Sequence, residues 1–169
     1  MVQINGGELE FRVERNKIQL VDNGFPKQGS GSKRFPEFAK RIVQKQSYLS
    51  FLALGINFLG VVIVEDGEEY IKSRFLGDRD ITPGHPVSTL GLSLVYMLDT
   101  DTDRRLVVKL DPGSIESVGP LSMPTSTGIV FQGNYHVPLA PDANVKSITT
   151  HLNGMDKDWE LLEEIVRTI

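Results

Sequence analysis

The hydrophobic pattern is dominated by one run, Phe51-Leu-Ala-Leu-Gly-Ile-Asn-Phe-Leu-Gly-Val-Val-Ile-Val64, in which Asn57 is the only polar side chain. A membrane-crossing helix needs about 20 consecutive apolar residues, and this run ends sooner, at Glu65, Asp66, Glu68 and Glu69. Ile56, Phe58, Val61, Val62, Ile63 and Val64 are β-branched or aromatic, and Gly55 and Gly60 interrupt the run, which together predict a twisted strand. Alternation puts Leu52, Leu54, Ile56 and Phe58 on one face and Phe51, Ala53, Gly55, Asn57 and Leu59 on a smaller, mixed one. The run reads as buried on both faces, with a bulge or bend at Gly60. A buried helix is the alternative, because periodicity does not separate the two in so short a run.

Around this strand the patterns alternate between periods of two and 3.6. Leu9–Val13 and Ile18–Leu20 alternate on either side of a turn at Asn16 and predict a hairpin. Residues 22–34 are turn formers and small polar residues, hence a loop. From Pro36 a helix follows, with Phe35, Phe38, Ala39, Ile42 and Val43 as its stripe and Lys40, Arg41, Gln44 and Lys45 opposite. Asp66 stands three residues before Glu69, as in a capping box, and opens a helix over 66–76 that Gly77 closes.

Residues 78–87 read as loop. Leu90–Leu98 and Leu106–Leu110 form the clearest hairpin, joined by Asp99–Arg105. A loop over about 112–127 leads to the last strand. There Ile129, Phe131, Tyr135, Val137 and Leu139 share one face, Val130, Gln132, Asn134 and His136 share the other, and Gly133 suggests a bend. Met155, Trp159, Leu162, Val166 and Ile169, widened by Leu161 and Ile165, predict a C-terminal helix capped by Asn153 or Asp156. The order β-β-α-β-α-β-β-β-α is that of an α+β fold. It implies a mostly antiparallel sheet of about six strands, with about three helices packed on one face, in a single domain over 1–169.

Composition narrows the function classes. At 169 residues the chain can bury a substantial core. Its net charge of −4 gives no electrostatic reason to expect nucleic acid or an anionic membrane. The absence of cysteine excludes disulfides, thiol catalysis and thiolate zinc sites. With no basic, apolar leader at the N-terminus, the expectation is a soluble, cytoplasmic protein of bacterial type without membrane association.

Candidate chemistry is sparse. Asp99-x-Asp101-x-Asp103 resembles the start of a calcium loop, but Arg104 and Leu110 occupy the positions that need glycine and a bidentate glutamate, so a charged turn is the better reading. Gly29-Ser-Gly-Ser-Lys33 lacks P-loop spacing. Lys33 and Arg34 at a helix start are nevertheless candidate anion-binding residues. The Ser30-x-x-Lys33 spacing stands without the companion motifs of a serine hydrolase. His85, His136 and His151 show no metal-ligand spacing.

Asn57, Gln132, Asn134 and His136, with Ser93, are candidate ligand-binding residues if their strands are neighbours; His136 would then be the acid–base group. No nucleophile with an adjacent base is visible, and no catalytic residue, metal or cofactor is assigned.

Three functions fit these readings. The first is a non-enzymatic interaction or assembly module that pairs through an open sheet face or edge, with a protein partner or a second copy. The alternative is a small-ligand binder or enzyme with a pocket at Asn57, Gln132, Asn134 and His136. Nucleic-acid binding through the basic face of the helix at 36–46 is the weakest, because aromatic interleaving is missing.

Overall fold

The computed structural model describes residues 2–4, 9–14, 17–22, 34–46, 49–77, 89–115, 126–140, 143 and 145–169. The chain forms two compact units, Met1–Ser50 with Pro141–Asp156, and Phe51–Ala140 with Lys157–Ile169. The class is α+β, as the patterns imply. The elements number seven strands and four helices among the described residues, and they are divided between two sheets.

The first unit holds a three-stranded antiparallel sheet of β1 (Val2–Ile4), β2 (Leu9–Glu14) and β3 (Lys17–Asp22), with β2 in the middle. The predicted hairpin is β2–β3, in which Phe11 faces Leu20 and Glu14 faces Lys17. β1 adds a strand that Val2-Gln-Ile4 was too short to announce. Helix α1 (Arg34–Lys45) lies against α3 (Val145–Asn153). Its stripe residues Phe38, Ala39, Ile42 and Val43 are half-buried, and Ile148 and Leu152 of α3 are buried.

The expected C-terminal helix is present, and a further helix, α3, precedes it. Gly154 separates α3 from α4 (Met155–Thr168), and Asp156 is the second residue of α4, not a residue before it. α3 was missed because Thr149 and Thr150 are poor helix formers; their hydroxyls bond back to the carbonyl oxygens of Val145 and Lys146 at 2.7 and 3.0 Å.

The second unit is built on an antiparallel sheet in the order β4-β7-β6-β5. These strands are β4 (Ala53–Ile63), β5 (Leu92–Asp99), β6 (Arg104–Ile115) and β7 (Ser126–Pro138). The long apolar run is thus a strand, but an edge strand. It is not buried on both faces: Ile56 and Gly60 are buried, whereas Ala53, Gly55, Asn57, Leu59 and Ile63 on the other face are exposed. β6 and β7 also extend into the segment read as loop from 112 to 127. Pro112 is tolerated because the pairing of β5 with β6 ends at Leu92↔Leu110, so no β5 residue needs its missing N–H.

The inner face of this sheet carries the core. Leu106, Val108, Leu110, Ile129, Phe131, Tyr135 and Val137 are buried. They are covered by α2 (Gly67–Phe75), through Ile71, and by α4, through Leu162. Trp159 packs on Phe58 and Phe131 with ring centroids 5.5 and 6.1 Å away. Asp66 caps α2 as the sequence implies, accepting from the Glu69 N–H at 2.9 Å, and Gly77 follows in the left-handed conformation. Within this unit the helices are α2 and α4 among the described residues; α1 and α3 belong to the first unit.

The β4–β7 ladder runs in unbroken register from Ala53↔Pro138 to Ile63↔Gly128, so no bulge occurs at Gly60. Gly60 and Gly133 make room for other side chains. A Cβ on Gly60 would lie 2.3 Å from the Phe131 ring, and one on Gly133 would lie 2.4 Å from Leu162 Cδ2. Alanine at either position should destabilise the unit by about 1–3 kcal/mol, as overpacking does, measured by denaturant unfolding. Gly60→Ala should cost more, because a whole ring must move. Unchanged midpoints in both variants would contradict this packing.

Candidate functional site

Because side chains alternate along each strand, the helix-free face of the four-stranded sheet is defined by register. Asn57 is paired with Asn134, Leu59 with Gln132 and Gly55 with His136. On β6, Arg105 faces His136, Val107 faces Asn134 and Lys109 faces Gln132. On β5, Met97, Val95 and Ser93 complete the same three rows. The fold therefore brings Asn57, Gln132, Asn134, His136 and Ser93 onto one surface. Asn57, Gln132, Asn134 and Ser93 are exposed and His136 is half-buried, so what they share is an open sheet surface.

Backbone direction on β4 follows from one bond. The Leu139 N–H donates to the Leu52 carbonyl at 2.9 Å, one step beyond the Ala53↔Pro138 pair. In an antiparallel ladder such bonds alternate, so Leu54, Ile56, Phe58, Gly60 and Val62 direct N–H and C=O toward β7. Ala53, Gly55, Asn57, Leu59, Val61 and Ile63 direct theirs away from it, along the sheet's outer edge. Asn57 and Asn134 then form a non-hydrogen-bonded pair, the type whose side chains approach most closely.

Apolar groups interrupt the polar surface at two corners. Leu59 and Ile63 are 58% and 76% exposed on β4, and Val95 and Met97 are 61% and 51% exposed on β5. Sequence reasoning placed Leu59 on the mixed face but did not mark these four as a surface. The signal was present in the parity of each strand, and only the strand order shows that they share a face on which no helix of the unit lies among the described residues.

A second cluster escaped the sequence reading altogether. Arg104 has the same parity as Leu106 and Val108 and so belongs to the inner face. There its Nη2 pairs with Oδ1 of buried Asp158, and its guanidinium lies over the Tyr135 ring, 5.8 Å from the centroid. The Tyr135 hydroxyl donates to the Asp158 backbone carbonyl. Arg104 Nε is buried without a hydrogen-bond partner. The pair joins α4 to the start of β6, and its incomplete satisfaction makes it weak evidence of added stability.

The remaining candidates are dispersed or lie outside the described residues. Lys33, His85 and the segment 29–33 fall outside them, and of Arg34 only its place at the start of α1 is described. Asp99 accepts from the Asp101 N–H and the Thr102 hydroxyl at 3.0 and 2.8 Å, which makes 99–103 a self-bonded turn; the Thr102 bond, then the Asp101 bond, lower its pKa. Among the described residues no group of three His, Asp or Glu side chains is arranged to hold a metal ion. On α1, Lys40 is bonded to Glu37 at 2.7 Å, which reduces the free basic face. A cavity of about 20 Å³ beneath α2, lined by Val62, Ile71, Leu110, Ile129 and Val166 among others, holds one water-sized sphere and is far below the size of a ligand pocket. No helix is long and apolar enough to cross a membrane, among the described residues. Comparison with protein-family models, curated proteins and solved structures finds no match to this chain.

Burial, then the nearby Asp158 charge, raises the Tyr135 pKa, against a smaller downward pull from Arg104. The folded state thus favours the neutral phenol. That contribution is complete below about pH 10, where an unfolded tyrosine is also neutral, and it is lost as pH rises toward the folded group's higher pKa. Tyr135→Phe should cost about 1 kcal/mol near neutrality, the net worth of one hydrogen bond, and should flatten the loss of stability above pH 10. An identical alkaline profile in the variant would contradict this assignment.

Proposed function

We propose that the chain is a non-enzymatic protein-interaction or assembly module working through the open face and outer edge of its four-stranded sheet. The observation that carries this reading is β4. Its eleven residues contain no charge and no proline, and its ladder with β7 contains no bulge. Sheet edges are normally blunted by such features, because unpaired N–H and C=O groups recruit other strands. The opposite edge shows the contrast: β5 is shorter, shifts register between Met97 and Asp99, and ends on a charge.

The polar residues fit this reading better than a ligand pocket. Asn57, Asn134, Gln132 and His136 supply donors and acceptors in the middle of the face, and Leu59, Ile63, Val95 and Met97 supply apolar contacts toward its corners. A surface with apolar anchors beside adaptable amides is how protein interfaces combine affinity with orientation. Recognition would be by strand addition with side-chain pockets on alternate positions.

The paired substitutions Leu59→Lys and Ile63→Lys change only exposed positions and should leave the unfolding midpoint within about 0.5 kcal/mol of wild type. They should abolish self-association in sedimentation and capture of other proteins by a photo-reactive residue at Gly55. Wild-type protein that sediments as a monomer at high concentration, and captures nothing from that position, would contradict the reading.

A further inference from the structure

The occupant of the β4 edge follows from the sequence of the strand itself. Building on the interaction reading above, we propose that β4 pairs with β4 of a second copy, antiparallel, about a two-fold axis at Phe58, to give one continuous eight-stranded sheet.

Antiparallel self-pairing of one edge requires an axis perpendicular to the sheet, so the helices of both copies lie on the same side. Outward-facing odd-numbered residues must then pair with odd-numbered ones. An axis at Phe58 matches the full strand: Ala53 with Ile63, Gly55 with Val61, Asn57 with Leu59. On the inner face Leu54 meets Val62 and Ile56 meets Gly60. Small residues thus stand opposite large ones, at Ala53, Gly55 and Gly60. Phe58 meets its own copy in a non-hydrogen-bonded pair, where side chains are closest.

Phe58 also has reason to be at the axis. It is half-buried at the sheet edge, edge-on to Tyr135 at 5.9 Å and tilted against Trp159 at 5.5 Å. A second Phe58 would complete its cover. The electrostatics are permissive, since the strand is uncharged and this register places Glu65 opposite Phe51 of the other copy instead of another acid.

The size is adequate. Eleven residues at about 3.3 Å each present roughly 36 Å of edge. Pairing along that length removes on the order of 1,000 Å² from both copies, at the lower limit for a specific dimer. A reversible dimer of micromolar affinity is expected, in place of a permanent one.

The absence of cysteine makes the register measurable. Nitroxides on Ile63→Cys should lie roughly 35 Å apart across the dimer, because each is five residues from the axis. Mixing Ala53→Cys and Ile63→Cys copies should instead bring labels within about 10 Å. Val61→Pro removes an outward N–H but no bond to β7, and should weaken the unlabelled dimer at least tenfold in sedimentation while leaving the unfolding midpoint of the dilute monomer close to wild type. A short distance between Ile63 labels, or a dimer indifferent to Val61→Pro, overturns the pairing while leaving an interaction surface. A monomer that still cross-links another protein through a photo-reactive residue at Gly55 overturns the second copy as occupant and leaves the interaction reading standing. A monomer that captures nothing overturns both.

Discussion

The seating of Leu162 over Gly133, with Trp159 between Phe58 and Phe131, decides everything else in the second unit. A four-stranded sheet with two apolar faces would need cover on both sides. Among the described residues the helices lie on a single side, and on β6 and β7 the residues largely alternate by parity between buried and exposed or half-buried. Leu162 and Tyr135 are fully buried, and the row behind Tyr135 on the other surface is Gly55, His136, Arg105 and Met97. No described helix of the unit lies on the other face, whose residues Asn57, Leu59, Gln132 and Asn134 are exposed.

Two features tie the helix to this position. One is apolar, the fit of Leu162 and Trp159 into space left by glycine. The other is polar and directional, the Arg104–Asp158 pair and the Tyr135 hydroxyl on the Asp158 carbonyl. At the far end, Arg74 of α2 donates to the Thr168 carbonyl at 2.9 Å, satisfying part of the C-terminus of α4. The apolar contacts remove surface from water, and the hydrogen bonds satisfy polar groups where α4 meets β6 and β7.

Much of this was legible in the chain. Alternation located the strands of both hairpins and of β7, the 3.6 period found the stripes of α1 and α4, and Asp66 with Glu69 marked the start of α2. What escaped was long-range. The run from Phe51 to Val64 looks like a central strand because every position but one is apolar, yet its neighbours place it at an edge, and no local pattern records strand order. Gly60 and Gly133 look like bends because glycine is permissive; their real constraint is a ring and a leucine distant in sequence. α3 escaped because Thr149 and Thr150 weaken the helical signal that Ile148 and Leu152 carry. The candidate residues Asn57, Gln132, Asn134 and His136 were grouped by parity, and the register does assemble them, though on an open surface and not within a cavity.

Among the described residues β4 has one side bonded to β7 and one side without a strand partner. Residue-resolved amide hydrogen exchange tests it most directly. In dilute solution the amides of Leu54, Ile56, Phe58, Gly60 and Val62 should be protected, and those of Gly55, Asn57, Leu59, Val61 and Ile63 should exchange at close to open rates. Protection of the second set should rise with protein concentration. Uniform protection along β4 at the lowest concentration would mean that the edge is already occupied within the chain, and the account would be wrong.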